Sequence, residues 1–159
     1  MVGELEQLAR EAAERHKLPP ALVCAMIEVE SAWDPWATRY EPAFFTRYID
    51  KSAIHRVVRE FCHSAKFYIS FETELHERAT SRGLFQMLGQ VARERGYVGP
   101  IAKLHEPATA CELGCGHFRW LLDRNAGDVS RALLRWNGGS DAQYPTRVLG
   151  RVAKYTNET

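Results

Sequence analysis

Apolar residues recurring every three or four positions, interrupted at intervals by proline and glycine, constrain this chain more than any other feature. Leu5, Leu8, Ala9, Ala12 and Ala13 form one stripe of a helix near Glu4 to His16, which is the spacing of an amphipathic helix. Pro19 and Pro20 reset the chain, and Pro20 suits the first turn of a second helix running to about Ala32. Asp34-Pro35 is expected to end it, because a residue before proline is pushed out of the helical region. Residues 43–79 carry FFTRYI, AIHRVVREF and KFYISFE, read as a helical insert of one or two amphipathic helices with a short extended piece near Phe67 to Phe71. Ser81-Arg82-Gly83 opens a predicted helix that ends at Gly96. Pro107 starts the next, with Leu113, Phe118, Leu121 and Leu122 on its stripe. Another spans Val129 to Trp136 and stops at Gly138-Gly139, and the last covers about Asp141 to Tyr155. The expected fold class is mainly α, with at most a small β element.

At 159 residues the chain fits a single domain, 1–159, with a core of ordinary size. A hydrophobic fraction of 45% with 26% charged residues is a globular balance, not a disordered one. The formal net charge is +1 and no basic tract stands out, so no nucleic-acid partner is expected. The N-terminus, MVGELEQLAREAAERH, has no continuous apolar stretch and reads as a helix start, so the product is expected to be made in the cytoplasm. No apolar run approaches the roughly 20 residues that span a bilayer, so no stable membrane insertion is expected. A monomer is the default expectation. Cys111 and Cys115 share a helix face and, with His117 and His63, hint at a metal, but neither CxxC nor HExxH spacing is present. Small thiols packed between helices, with no metal or cofactor, are the reading adopted.

The second helix poses the chemical question, because it carries Glu28 and Glu30 among Val, Ile and Met. At about 100° per residue, Leu22, Val23, Met26, Ile27, Val29 and Trp33 cluster on one side, and Glu30 falls among them. Glu28 lies roughly 160° away, beside Cys24 and Ala25, and reads as solvated. Burial disfavours the ionised carboxylate, and the negative end of the helix dipole pushes the same way. A carboxylic acid kept protonated near neutral pH is what general-acid catalysis requires. The alternative is a structural glutamate paired with Arg39 or Arg82.

Further along the chain, Glu30-Ser31-x-Trp33-Asp34-Pro35-x-Ala37 resembles the catalytic-glutamate motif of the lytic transglycosylases, lysozyme-like enzymes related to goose-type lysozyme. Gly83-Leu84-Phe85-Gln86-Met87 is similar to their Gly-Leu-Met-Gln motif, and Trp136-Asn137-Gly138-Gly139 to their Tyr-Asn-Ala-Gly or Tyr-Asn-Gly-Gly. Tyr144 matches the tyrosine of their C-terminal helix. Four motifs in the family's order, spanning Leu18 to Tyr155, identify the chain as resembling this family over nearly its whole length. The stretch Arg39-Tyr40-Glu41-Pro42, the insert, and the Pro-Ala-Thr before a Gly-Cys pair resemble phage-associated, endolysin-like members that lack a secretion signal.

The resemblance implies a lysozyme-like fold acting on peptidoglycan strands at the β-1,4 bond between N-acetylmuramic acid and N-acetylglucosamine. Glu30 would protonate the glycosidic oxygen and then act as base, with the muramoyl 6-hydroxyl closing a 1,6-anhydro ring. Ser31, Gln86, Asn137 and Tyr144 would bind substrate. Gln86 and Asn137 would offer amides to N-acetyl groups, or else satisfy backbone groups at a helix end. Tyr144 would hydrogen-bond Glu30 or the N-acetyl group. Trp33, Trp36 and Phe85 are aromatics for sugar subsites or simply core. Trp136 replaces the usual tyrosine and removes a hydroxyl, Ala110 stands where many members have asparagine, and Gly89 where many have proline.

Two rivals remain at this point. A goose-type muramidase would hydrolyse the same bond with Glu41 as second carboxylate, which inverting hydrolysis places roughly 6.5–9.5 Å from the acid. Glu41 equally suits the cap of a helix beginning near Ala43. The other rival is a non-catalytic wall-binding or phage structural component. Glu72, Glu74 and Glu77 read as solvated residues of the insert.

Overall fold

The alanine side of the first stripe is what lets two other helices come close. In the computed structural model, which describes residues 2–156, α1 (Val2–Arg15) buries Ala9, Ala12 and Ala13 against α2 (Pro20–Ser31) and α7 (Pro107–Arg124). Small side chains on that face permit close approach of the backbones. α2 is central: every residue from Leu22 to Ile27 is buried, because α1 covers one side and α9 (Tyr144–Thr156) another. It ends at Ser31, before Asp34-Pro35 is reached, because Ala32 turns into the left-handed region (φ 50°) and its N–H donates to Glu28 O. Three cysteines, Cys24, Cys111 and Cys115, pack in the same core, and burial pushes the Cys111 thiol up to about 12.

Three short strands follow the order β1-β2-β3, all antiparallel: β1 (Thr38–Tyr40), β2 (Thr80–Arg82) and β3 (Met87–Leu88), with Arg39 opposite Ser81 and Arg82 opposite Met87. The insert leaves the end of β1 and returns at the start of β2. Its two ends are joined by the Glu41 N–H donating to Ala79 O at 2.9 Å. It contains α3 (Pro42–Phe44), a π-helical turn (Phe45–Ile49), α4 (Ser52–Ser64) and α5 (Phe71–Arg78). Its own small core is Ile49, Val58, Leu75 and Ala79. The extended piece expected near Phe67 is an irregular connection, and Phe71 already belongs to α5, capped by Ser70 Oγ accepting from the Thr73 N–H.

The continuous helix expected from Ser81 to Gly96 is not formed. β2, a tight turn, β3 and the short α6 (Gly89–Glu94) occupy that segment. The turn holds Gly83 at φ 70° and Gln86 at φ 46°, conformations a right-handed helix cannot contain. Gly83 is required twice over, since a Cβ there would stand 1.9 Å from Leu104 O.

Glu74 was expected in solvent and is instead wholly buried, at 0% exposure. It accepts from Arg78 Nε at 2.9 Å and takes a two-pronged grip from Arg93, Nε to Oε1 at 2.8 Å and Nη2 to Oε2 at 2.9 Å. Arg93 lies on α6, so this cluster fastens the insert to the rest of the molecule. Glu77 is likewise engaged, accepting from Arg82 Nη2 at 2.6 Å, and only Glu72 is open to solvent. Arg78 lies one turn along α5, but Arg93 and Arg82 come from α6 and β2, which the charge pattern of α5 alone does not reveal.

The remaining helix, α8 (Val129–Trp136), is capped by Asp128, whose carboxylate accepts from the Arg131 N–H at 3.0 Å. α8 and α9 flank the last turn of α2. No helix among the described residues is long and apolar enough to cross a membrane.

Candidate active site

The insert, the β2–β3 turn and helices α7 to α9 enclose a cleft of about 1250 Å³ with Glu30 in its lining. A smaller depression of about 450 Å³ at Arg15, His16 and Lys17 shares no residue with it and brings together no acid of this kind. The two glutamates of α2 meet opposite surroundings. Glu28 was expected in solvent, but its side of α2 is covered by α9. It accepts hydrogen bonds from the Tyr155 hydroxyl and from Lys154 Nζ, with Arg151 nearby at 3.7 Å. The Tyr155 hydroxyl foremost, then Lys154 and Arg151, hold its carboxyl below the usual range. Trp33 Nε1 donates to the same Tyr155 oxygen at 2.9 Å, which pins the end of α2 to α9.

Glu30 is pushed the other way. Burial raises its carboxyl above the usual range, against the opposing pull of donors from Tyr144 and Trp136 and of the Arg39 and Arg147 charges. The Tyr144 hydroxyl donates to Oε1 at 2.5 Å and Trp136 Nε1 donates to the same oxygen at 2.8 Å. With both donors on Oε1, an acidic proton belongs on Oε2. Burial and the adjacent Glu30 also push the Tyr144 phenol upward, so it stays a neutral donor. Two carboxylates two residues apart are thus held in different protonation regimes by what packs on each side of one helix.

The other site residues sort themselves by their hydrogen bonds. Gln86 lines the cleft, with Nε2 donating to Ala37 O at 2.9 Å and Gly83 O at 3.1 Å. Its left-handed backbone and this tether fix the amide, leaving Oε1 as an acceptor. Asn137 also lines the cleft, closing the α8–α9 turn through Nδ2 to Asp141 O and through Oδ1, which accepts from the Gly139 N–H. Ser31 lies behind the wall: its hydroxyl bridges Ile27 O and Leu84 O, tying α2 to the turn. Trp33 and Phe85 are core, and Trp36, 73% exposed, stacks on His105 away from the cleft lining. Glu41 does line the cleft. It occupies the cap position of α3 without a capping bond, and its Oε1 instead accepts from Arg39 Nε at 2.5 Å. Arg39 and Arg82 therefore have partners other than Glu30, Arg82 pairing with Glu77.

Residues 7–147 match the transglycosylase SLT domain. The chain belongs to that family. No curated protein and no solved structure matches it. SLT domains are peptidoglycan-cleaving enzymes with a lysozyme-like fold, so the α-helical body with its small sheet is that of a peptidoglycan-degrading glycosidase. A non-catalytic wall-binding role gives way to catalysis on that ground.

Two features of this SLT domain are not visible in its sequence. Trp136 does remove a hydroxyl, but its indole supplies a donor to the glutamate in its place, a substitution the donor inventory of tryptophan allows. His117 lies in the cleft wall between Trp120 and Trp136, at ring distances of 5.8 and 5.3 Å, and burial pulls it down to about 4. It is therefore an uncharged wall residue at neutral pH.

Proposed function

We propose that the chain is a lytic transglycosylase that cleaves the β-1,4 bond between N-acetylmuramic acid and N-acetylglucosamine, with Glu30 as its one acid and base. The observation that carries this reading is the double donation onto Glu30 Oε1, in a carboxyl that burial keeps protonated to higher pH. The Oε2 proton passes to the glycosidic oxygen as the bond to muramoyl C1 breaks. The muramoyl 6-hydroxyl then attacks C1, and its proton returns to Glu30. One bond is broken, one ring closed and no water consumed, so the nucleophile is already tethered to the substrate. Gln86 Oε1 is placed to accept from an acetamide N–H, while Asn137, Ser31 and Tyr144 hold the turn, the helix end and the carboxylate that the reaction needs. Residues 1–159 act in this reading as one catalytic unit, with the insert as part of the cleft wall.

The second reading is a muramidase using Glu41 as base toward water, and what favours it is that Glu41 lines the same cleft. Against it stands the Arg39 guanidinium already clasping that carboxylate. Mass spectrometry of sugars released from purified peptidoglycan separates the two. The transglycosylase gives anhydro-muramoyl ends, lighter by one water and non-reducible, and Glu30→Gln gives none. Reducible muramic acid ends would establish the hydrolase.

A further inference from the structure

We propose that Arg47, Arg124 and Arg135 form a rim that binds the carboxylates of the stem peptides carried by the glycan strand, making the enzyme selective for peptide-bearing strands. This rests on the reading of the cleft as the peptidoglycan site. Five arginines line the cleft against Glu30, Glu41 and Asp141. Arg39 is answered by Glu41 and Arg147 by Asp141, each at 2.5 Å. Arg47, Arg124 and Arg135 have no carboxylate partner among the described residues, although the whole chain carries a net charge of only +1. They arrive from three separate elements, the π-helical turn of the insert, the last turn of α7 and the last turn of α8.

Two of the three are held in place by aromatic rings. The Arg124 guanidinium sits 4.9 Å from the Trp120 ring centre and that of Arg47 sits 5.2 Å from Tyr48. A guanidinium resting on a ring loses less freedom when it binds an anion, and its planar edge remains available for a two-pronged carboxylate contact. The sugar rings and acetamides of a glycan strand are uncharged and are read by amides and ring faces, so they give no use for three free cations. In the intact strand each lactyl carboxyl is tied up as an amide, and the carboxylates reside on the attached peptides. A concave site with an excess of one sign of charge gathers the opposite charge from solution. With Glu30 protonated, that excess grows.

The test compares intact sacculi with sacculi stripped of peptide by an amidase, using the triple variant Arg47→Gln, Arg124→Gln, Arg135→Gln and each single variant. All three side chains are exposed, so the fold is expected to persist, and a thermal melt checks it. On intact sacculi the triple variant should raise KM about tenfold with kcat nearly unchanged, and the wild-type advantage should shrink as salt rises. Amidase hydrolysis leaves one lactyl carboxylate beside each muramoyl ring, so on stripped strands the gap between wild type and variant should narrow sharply without having to vanish. An equal loss on both substrates, or no loss on either, overturns the rim. Pelleting with each sacculus, in a Glu30→Gln background, measures the same preference without turnover. If the wild type releases no sugar from either substrate, the glycosidase reading of the cleft fails while the pelleting result still decides the rim.

Discussion

Trp136 Nε1 stands 2.8 Å from Glu30 Oε1, joining the end of α8 to the end of α2 across 106 residues of chain. That bond favours the ionised carboxylate, so it opposes burial and limits how far the acid is raised. Trp136→Phe should keep most of the ring packing against Phe85 and Phe118 while deleting the donor. The expected outcome is an alkaline limb of the kcat/KM profile displaced to higher pH, with a loss of roughly tenfold at the optimum. A limb that stays where it was would mean the indole N–H has no hold on the acid. Tyr144→Phe should move the limb in the same direction.

Glu30→Gln should be inactive yet more stable. The amide oxygen can still accept from Trp136 and Tyr144, but no buried charge remains to be desolvated. A carboxyl raised in the folded state binds its proton more tightly there than in the unfolded chain. Its contribution to stability therefore falls as pH rises from the unfolded value of about 4.3 through the raised folded value, and the deficit is complete above it. The gain of Glu30→Gln over wild type should be absent at low pH and reach about 1 kcal/mol at neutral pH, read from urea midpoints at a series of pH values. A gain of equal size at every pH would refute this account.

Glu41 separates the two chemistries. If the 6-hydroxyl is the nucleophile, Glu41→Gln loses the Arg39 ion pair and some wall order, and activity falls by no more than about tenfold with anhydro ends unchanged. If Glu41 activates water, the same change removes the general base and costs about 10² to 10⁴ in rate. Product masses and rates from one digestion decide it.

Glu74→Gln should be costly out of proportion to its distance from the cleft. It leaves the Arg78 and Arg93 guanidiniums, with side chains 3% and 5% exposed, without their carboxylate. Breaking a buried ion pair from one side costs about 3 to 5 kcal/mol. A drop in the urea midpoint far smaller than that would mean that water enters the cluster.

Gly83→Ala strikes the turn that carries Gln86. Its Cβ would meet Leu104 O at 1.9 Å in a backbone at φ 70°. The combined clash and strain should cost about 3 kcal/mol or more, with activity lost in step with the fold. A melting temperature within a degree of wild type would contradict the geometry of the turn.

What could be read in advance, and what could not, follows from range. The helices α1, α2, α7 and α8 are marked by stripes and by proline or glycine at their ends, all local signals, and their limits lie within a few residues of those expected. Glu30 was legible because its apolar neighbours are on its own helix. Gly83 to Gln86 was not, since two left-handed residues leave no periodic trace and Leu84-Phe85 mimics a helix stripe. Glu28 and Glu74 look solvent-facing in the sequence because the elements that cover them, α9 and α6, are distant along the chain. Tyr144 is marked only by the family resemblance, and the Trp136 donor is hidden because a tyrosine-to-tryptophan exchange shows the lost hydroxyl and not the gained N–H.

The Glu74 cluster bears on how this molecule could be re-engineered. Both ends of the insert meet at Glu41 and Ala79, which invites its removal as a cassette and its replacement by a short hairpin. Excision would carry off Glu74 and Arg78 and leave Arg93 on α6 open to water, with the Tyr97 and Gly99 carbonyls as its remaining partners. A shortened chain would therefore keep Arg93 at little cost, whereas a transplanted insert would need an arginine in the recipient to meet the buried Glu74.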